Sequence, residues 1–135
     1  MATVTLFNVF ALDAVSGVHD LSSDTLKVAL TDTAPSTTSN AGYADLTEIA
    51  SGNGYTTGGV TATVDTLSQT SGAVSLVLSG VSWTASGGDI ATHRYAVLYN
   101  DTSTGKRLIG VADFGVSAVI ADGNTETANG TWIGG

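Results

Sequence analysis

Acid–base or metal-binding chemistry in this 135-residue chain would have to come from two histidines, two glutamates and ten aspartates. An acid–base pair needs two ionisable groups held close in environments that push their pKa values apart. The only glutamates are Glu48 and Glu126. Asp20, Asp24, Asp32, Asp101 and Asp122 stand next to, or one residue from, Ser, Thr, Gly or Asn. That is the pattern of turn-forming carboxylates that accept hydrogen bonds from nearby backbone N–H groups. A zinc centre needs three or four His, Cys or carboxylate ligands. His19 and His93 share no ligand spacing, and the expectation for each is an ordinary surface or strand-edge position. No G-x-S-x-G elbow precedes a helix, so no serine is marked as a nucleophile.

Three further patterns have bland explanations. Gly52-Asn53-Gly54 and Gly58-Gly59 suggest a phosphate cradle only if a strand precedes them and a helix follows, with a Lys nearby. Here the order is reversed and no Lys lies within twenty residues. A loop needing positive φ accounts for them. The run Asp122-Gly-Asn124-Thr-Glu126 alternates oxygen side chains but lacks the remaining ligands of a calcium loop. Asn100-Asp101-Thr102 and Asn129-Gly130-Thr131 match the glycosylation sequon, as a Thr-rich chain does by chance. No metal, cofactor or catalytic residue is therefore expected, and the chain reads as a non-enzyme.

The elements that must position these residues are strands. Thr, Ser and Gly make up 52 of the 135 residues, with one Pro, no Cys, and two each of Lys and Glu. Thr and Val pack well on pleated, half-buried surfaces, and Gly and Ser supply turns. The expected fold is all-β: a β-sandwich or small β-barrel of about seven short antiparallel strands with one or two short helices, in one domain spanning residues 1–135. Strands are expected at Thr25–Thr31, Val60–Thr66, Ala73–Leu78, Val81–Thr84, Arg94–Asn100, Arg107–Phe114, Val116–Ile120 and Thr131–Ile133, with Asp101–Lys106 as a hairpin loop. Leu6–Val15 is ambiguous: Phe7, Phe10, Ala11 and Ala14 fall at helical spacing with Gly17 as the stop, while Val4, Leu6, Asn8 and Phe10 also fit period two, and a short helix is the expectation. Residues 1–16 thus read as an N-terminal arm or short helix. Tyr43–Ala50 reads as one or two helical turns, and Asp32–Gly42, which holds Pro35, as a long polar loop.

Charge and composition exclude several classes. The formal net charge is −8 with four basic residues, which argues against binding to nucleic acid or anionic membranes, both of which depend on Lys and Arg. The absence of Cys removes disulfide scaffolds and thiolate metal sites. No apolar run approaches the ~20 residues of a membrane span. Residues 1–10 carry no basic region, so a signal peptide is not expected.

The stretches Gly17–Asp32 (GVHDLSSDTLKVALTD) with Thr33-Ala-Pro35, Ala44–Gly59 (ADLTEIASGNGYTTGG), Val81–Asn100 (VSWTASGGDIATHRYAVLYN) and Leu108–Gly115 (LIGVADFG) together resemble a widespread group of small virion proteins of tailed bacteriophages. The resemblance implies a structural protein, with capsid decoration (cement) the nearest functional class. It would be made in the host bacterial cytoplasm and sit on the outer capsid surface between capsomers. The implied partners are the major capsid protein and further copies of the chain, a trimer being favoured because threefold contacts close a ring. Gly130–Gly135 departs from the family pattern and is left free to serve as an arm completed by a neighbouring subunit. The expected contact residues are Val4, Leu6, Phe7 and Phe10 in the N-terminal segment and Pro35 in the loop. The alternatives are a tail- or fibre-associated virion protein, or a carbohydrate-binding module stacking sugars on Trp83 with Tyr95 or Tyr99.

Overall fold

Ten strands and one short helix, seen in a computed structural model that describes residues 3–134, build this protein. In chain order they are β1 (Thr3–Leu6), α1 (Val9–Val15), β2 (Leu26–Thr31), β3 (Val60–Thr61), β4 (Thr63–Thr70), β5 (Ala73–Ser79), β6 (Ser82–Thr84), β7 (Ile90–Asn100), β8 (Leu108–Ile120), β9 (Thr125–Thr127) and β10 (Gly130–Ile133). They form a five-stranded sheet in the order β1-β8-β7-β2-β3, a three-stranded sheet β10-β5-β4 and a two-stranded ribbon β6-β9. Every pairing is antiparallel.

Period-two alternation explains the layering. On β2, Leu26, Val28 and Leu30 enter the main core together with Ala96 and Leu98 of β7. Leu76 and Leu78 of β5 meet them from the three-stranded sheet, with Trp83 of β6 and Trp132 of β10. The arrangement is a sandwich. Its sheets are joined at a corner where β3 runs into β4 and the Ala62 N–H bonds the Leu26 carbonyl at 2.9 Å. The other residues of the central strands, Ala29, Val97 and Tyr99, face a second apolar cluster covered by Phe7, Val9, Tyr43 and Leu46. The centre of the five-stranded sheet is thus buried on both faces, which is why Val28–Leu30 and Ala96–Leu98 read as continuous apolar runs.

Two glycines are required by geometry. At Gly59, with φ +84°, a Cβ would lie 1.9 Å from the Val28 carbonyl oxygen, so only glycine lets the chain pass this close to β2. At Gly115, φ +88° kinks the chain without ending the strand. The separate strands expected at Arg107–Phe114 and Val116–Ile120 are therefore one 13-residue strand, β8.

The N-terminal segment differs from the expectation of an arm. Only Val9–Val15 is helical, while Thr3–Leu6 pairs with Gly110–Asp113 as the edge of the large sheet. Gly17, at φ +82°, lies just past the helix, where the spacing placed the stop. Between Tyr43 and Ala50 there is a single 3-10 turn, Tyr43–Asp45. The C-terminal stretch is no free arm: Gly130–Ile133 pairs with β5, and Trp132 is 2% exposed. Its indole N–H bonds the Ala128 carbonyl at 3.0 Å. Burial of so large an aromatic secures that segment within its own core.

Candidate functional site

Three clusters of ionisable residues join one element to another. The first is built where residues 48–59 run alongside β2. The Ile49 N–H bonds the Leu30 carbonyl at 3.1 Å, holding Glu48 against Thr31. The Glu48 carboxylate accepts hydrogen bonds from the Tyr43 hydroxyl, the Tyr55 hydroxyl (2.5 Å) and the Gly58 N–H (2.7 Å). The Tyr55 oxygen also accepts from the Leu30 N–H at 3.0 Å, and Tyr99 donates to the Gly58 carbonyl at 2.5 Å. Burial pushes the Tyr43 and Tyr55 phenols well above their ordinary range, and Glu48 pushes them further. They stay protonated and act as donors. The cluster pins the glycine-rich loop to the sheet, and the strand that follows these glycines leaves no helix N-terminus for a phosphate.

The second cluster corrects the expectation for His93, which is 2% exposed rather than superficial. Its Nδ1 donates to the Ala91 carbonyl at 2.8 Å and its Nε2 faces Glu126 Oε2 at 2.5 Å. Burial opposes the imidazolium, but the Glu126 and Ala91 contacts, with the charges of Glu126 and Asp32, outweigh it and raise the His93 pKa above its ordinary value. Glu126 is thereby taken from the oxygen-rich run at residues 122–126. Among the described residues no group of three or more His, Asp or Glu could hold a metal ion.

The third cluster lies between α1 and the β7–β8 loop. Asp13, buried although it stands on a seven-residue helix, forms a two-pronged pair with Arg107 at 2.8 and 3.2 Å. Asn100 is fully buried. Its Nδ2 donates to Asp24 (2.7 Å) and His19 Nδ1 (3.0 Å), and its Oδ1 accepts the Thr102 and Ser103 N–H groups. This closes the hairpin loop and excludes Asn100 as a glycan acceptor in the folded chain. Burial lowers the His19 pKa, against the pull of Asp13 and Asp24. Asp13, Asp24, Ser103 and Arg107 line an open polar cleft of about 500 Å³. Asp20 behaves as a turn carboxylate, accepting from Ser22 and Ser23. The two histidines sit in separate clusters, and among the described residues neither is hydrogen-bonded to a serine.

The expected contact residues divide. Val4 packs against the main core, and Leu6 is 37% exposed on the edge strand. Phe7 cannot be a docking residue in the folded protein: it is 2% exposed because it covers the second face of the large sheet. Phe10 is half-buried. Pro35 lies in a loop tied to the N-terminal segment by the Asn8 N–H to Thr37 carbonyl bond at 2.9 Å, so these two regions are neighbours. Trp83 and Tyr99 are buried, and half-buried Tyr95 has the Arg94 guanidinium 5.5 Å from its ring centre. The aromatic platform for sugars is not formed.

One feature escaped the sequence reading. Phe10 and Ala14 of α1, Leu21, Leu67 of β4, Val74 of β5 and Ile133 border an apolar groove of about 360 Å³. Leu67 and Val74 are 40% and 47% exposed. The legible signal was the alternation Val74, Leu76, Leu78, which continues an apolar stripe beyond the core toward the hairpin tip. Comparison with protein-family models, with curated protein sequences and with solved structures finds no match to this chain.

Proposed function

We propose that this chain is a non-enzymatic virion protein of a tailed bacteriophage, a capsid decoration protein that binds the outer surface of the head and cements contacts between capsomers. The observation that carries the reading is the use of the charged groups. Glu48, Glu126, Asp13 and Asp24 are each committed to holding one element to another, and the otherwise polar surface keeps an apolar groove beside α1 with the exposed Leu6, Leu67 and Val74. Apolar patches of this kind serve protein partners. The resemblance over residues 17–115 supplies the phage setting, the major capsid protein as partner and the trimer at local threefold points. An acidic surface suits a position away from packaged DNA. The carbohydrate-binding alternative loses its support with Trp83 and Tyr99 buried, and nothing favours a tail position over the head.

The test is the number of copies per purified virion, by quantitative mass spectrometry against the major capsid protein. Hundreds of copies in simple ratio to the capsid protein are expected. A few copies up to a few tens would place the chain in the tail, and absence from particles would overturn the virion reading. Deleting residues 2–10 is a poor probe of binding, since it removes β1 and Phe7. Leu67→Asp, on the exposed stripe, should keep the fold and weaken binding to undecorated heads; full binding would remove the groove from the interface.

A further inference from the structure

We propose that His93 and Glu126 form a proton-operated clasp that holds the β6–β9 ribbon to the long β7–β8 hairpin and releases it as pH rises. The geometry assigns the protons. A carbonyl oxygen only accepts, so the Nδ1 that meets the Ala91 carbonyl at 2.8 Å carries a hydrogen. The proton that can leave is therefore the one on Nε2, between the ring and Glu126 Oε2 at 2.5 Å. Once it leaves, two lone-pair acceptors face each other at that distance inside a site where the ring is 2% exposed. A neutral ring cannot relieve the clash by donating from the other nitrogen without giving up Ala91.

The surroundings favour the protonated form. Glu126 faces the ring from β9 and Asp32 acts on it from the loop after β2, its own carboxylate accepting from Ser117 of β8 at 2.6 Å. Phe114 of β8 stands edge-on, 6.1 Å between ring centres. The neighbouring cation, Arg94, is engaged by Asp113 at 2.9 Å. Among the described residues, two carboxylates thus set the field around the ring, with Arg94 already paired.

The consequence is local. The ribbon's ladder is three residue pairs, Ser82–Thr127, Trp83–Glu126 and Thr84–Thr125, flanked by the Ala85–Asn124 and Ala128–Val81 backbone bonds, and Glu126 lies at its centre, opposite the buried Trp83. A raised folded-state pKa means that the stabilisation is complete below the ordinary histidine value of 6.5 and is lost as pH climbs through the folded value. Opening the clasp should loosen the ribbon while the β2–β7 ladder stays closed, because local opening follows local contacts.

The test is NMR on the whole chain. The His93 ring shifts give its titration midpoint, and amide hydrogen exchange, corrected for intrinsic pH dependence, gives protection at residues 82–84 and 125–127. The expected result is a midpoint above 6.5 and ribbon protection that falls through that midpoint, by roughly tenfold for each unit of elevation, with β2–β7 protection unchanged. Glu126→Gln should bring the midpoint down and flatten the ribbon's pH response. His93→Gln, which keeps a donor toward Glu126, should flatten it too and controls for packing. A midpoint at or below the ordinary value would overturn the clasp. So would a ribbon whose protection ignores the titration, or a Glu126→Gln protein with the wild-type response.

Discussion

Replacing Glu48 tests whether a single carboxylate holds the glycine-rich loop to the sheet. Its two oxygens accept three hydrogen bonds, from Tyr43, Tyr55 and the Gly58 N–H. Hydrogen bonds to a charged group are worth about 1.5–3 kcal/mol each. Three of them sharing one half-buried acceptor do not add fully, so Glu48→Ala should cost about 3–5 kcal/mol, a large fraction of the ~5–15 kcal/mol of a typical domain. Glu48→Gln can still accept from Tyr55 and Gly58 through its oxygen and donate to the Tyr43 oxygen through its amide. It loses the charge but not the connectivity and should cost about 1–2 kcal/mol. The assay is urea unfolding followed by tryptophan fluorescence, since Trp83 and Trp132 are both buried. With slopes of about 1–3 kcal/mol/M, the Ala variant should unfold at least ~1 M earlier. A loss below about 1 kcal/mol for Glu48→Ala would refute the idea that the loop is pinned here. Equal losses for Ala and Gln would show that charge, not connectivity, carries the effect.

Other expectations follow from the same structure. Gly59→Ala should cost about 2–5 kcal/mol, from its positive φ and the 1.9 Å approach to the Val28 oxygen. Gly17→Ala has a similar φ but open space around it and should cost only about 1–2 kcal/mol; equal thermal shifts would contradict this. Leu76→Ala, fully buried, should cost about 2–5 kcal/mol, whereas Leu67→Ala on the same face of the hairpin should stay within about 1 kcal/mol. At high pH, Tyr43, Tyr55 and Tyr99, all raised above the ordinary value of 10.0 mainly by burial, contribute stability that is complete below that value and is lost as pH climbs toward their folded values. Phenolate absorbance from Tyr43, Tyr55 and Tyr99 should therefore appear in one cooperative step together with unfolding. Gradual ionisation of these three tyrosines in the folded state would contradict it.

The strands were legible because alternation is a local property. Leu26-Val28-Leu30 and Val74-Leu76-Leu78 name their faces without reference to the rest of the chain. Where elements end is decided by tertiary contacts, and there the sequence misleads. Gly115 looks like a terminator, yet β8 continues because the far half of β7 is present to pair with it, as His93 does with Ala118. Val4, Leu6, Asn8 and Phe10 fit the strand period as well as Phe7, Phe10, Ala11 and Ala14 fit the helical one, and Thr3–Leu6 becomes a strand because β8 offers an edge. Phe7 shows the same limit. An apolar residue near a chain end reads equally well as an exposed anchor or as a lid on a sheet, and only the second apolar face of β2 and β7 decides between them.

The polar clusters were illegible for a related reason. Their partners are far apart in the chain: Asp13 with Arg107, Asp24 with Asn100, His93 with Glu126. A chain with so few ionisable groups gives no spacing pattern by which such pairs announce themselves. Two of them join segments that backbone ladders do not connect, α1 to the β7–β8 loop and the β6–β9 ribbon to β7, while Asp24–Asn100 secures the end of the β2–β7 ladder, where Leu26 pairs with Asn100. A mostly antiparallel fold secures neighbouring strands by backbone hydrogen bonds, but its short helix, loops and ribbon have no such ladder to the main sheets. Scarce charge is spent at those joints, where one paired carboxylate fixes more chain than it would on an exposed face. The paired carboxylates thus lie at the joints of the fold, and an apolar groove stays open beside α1.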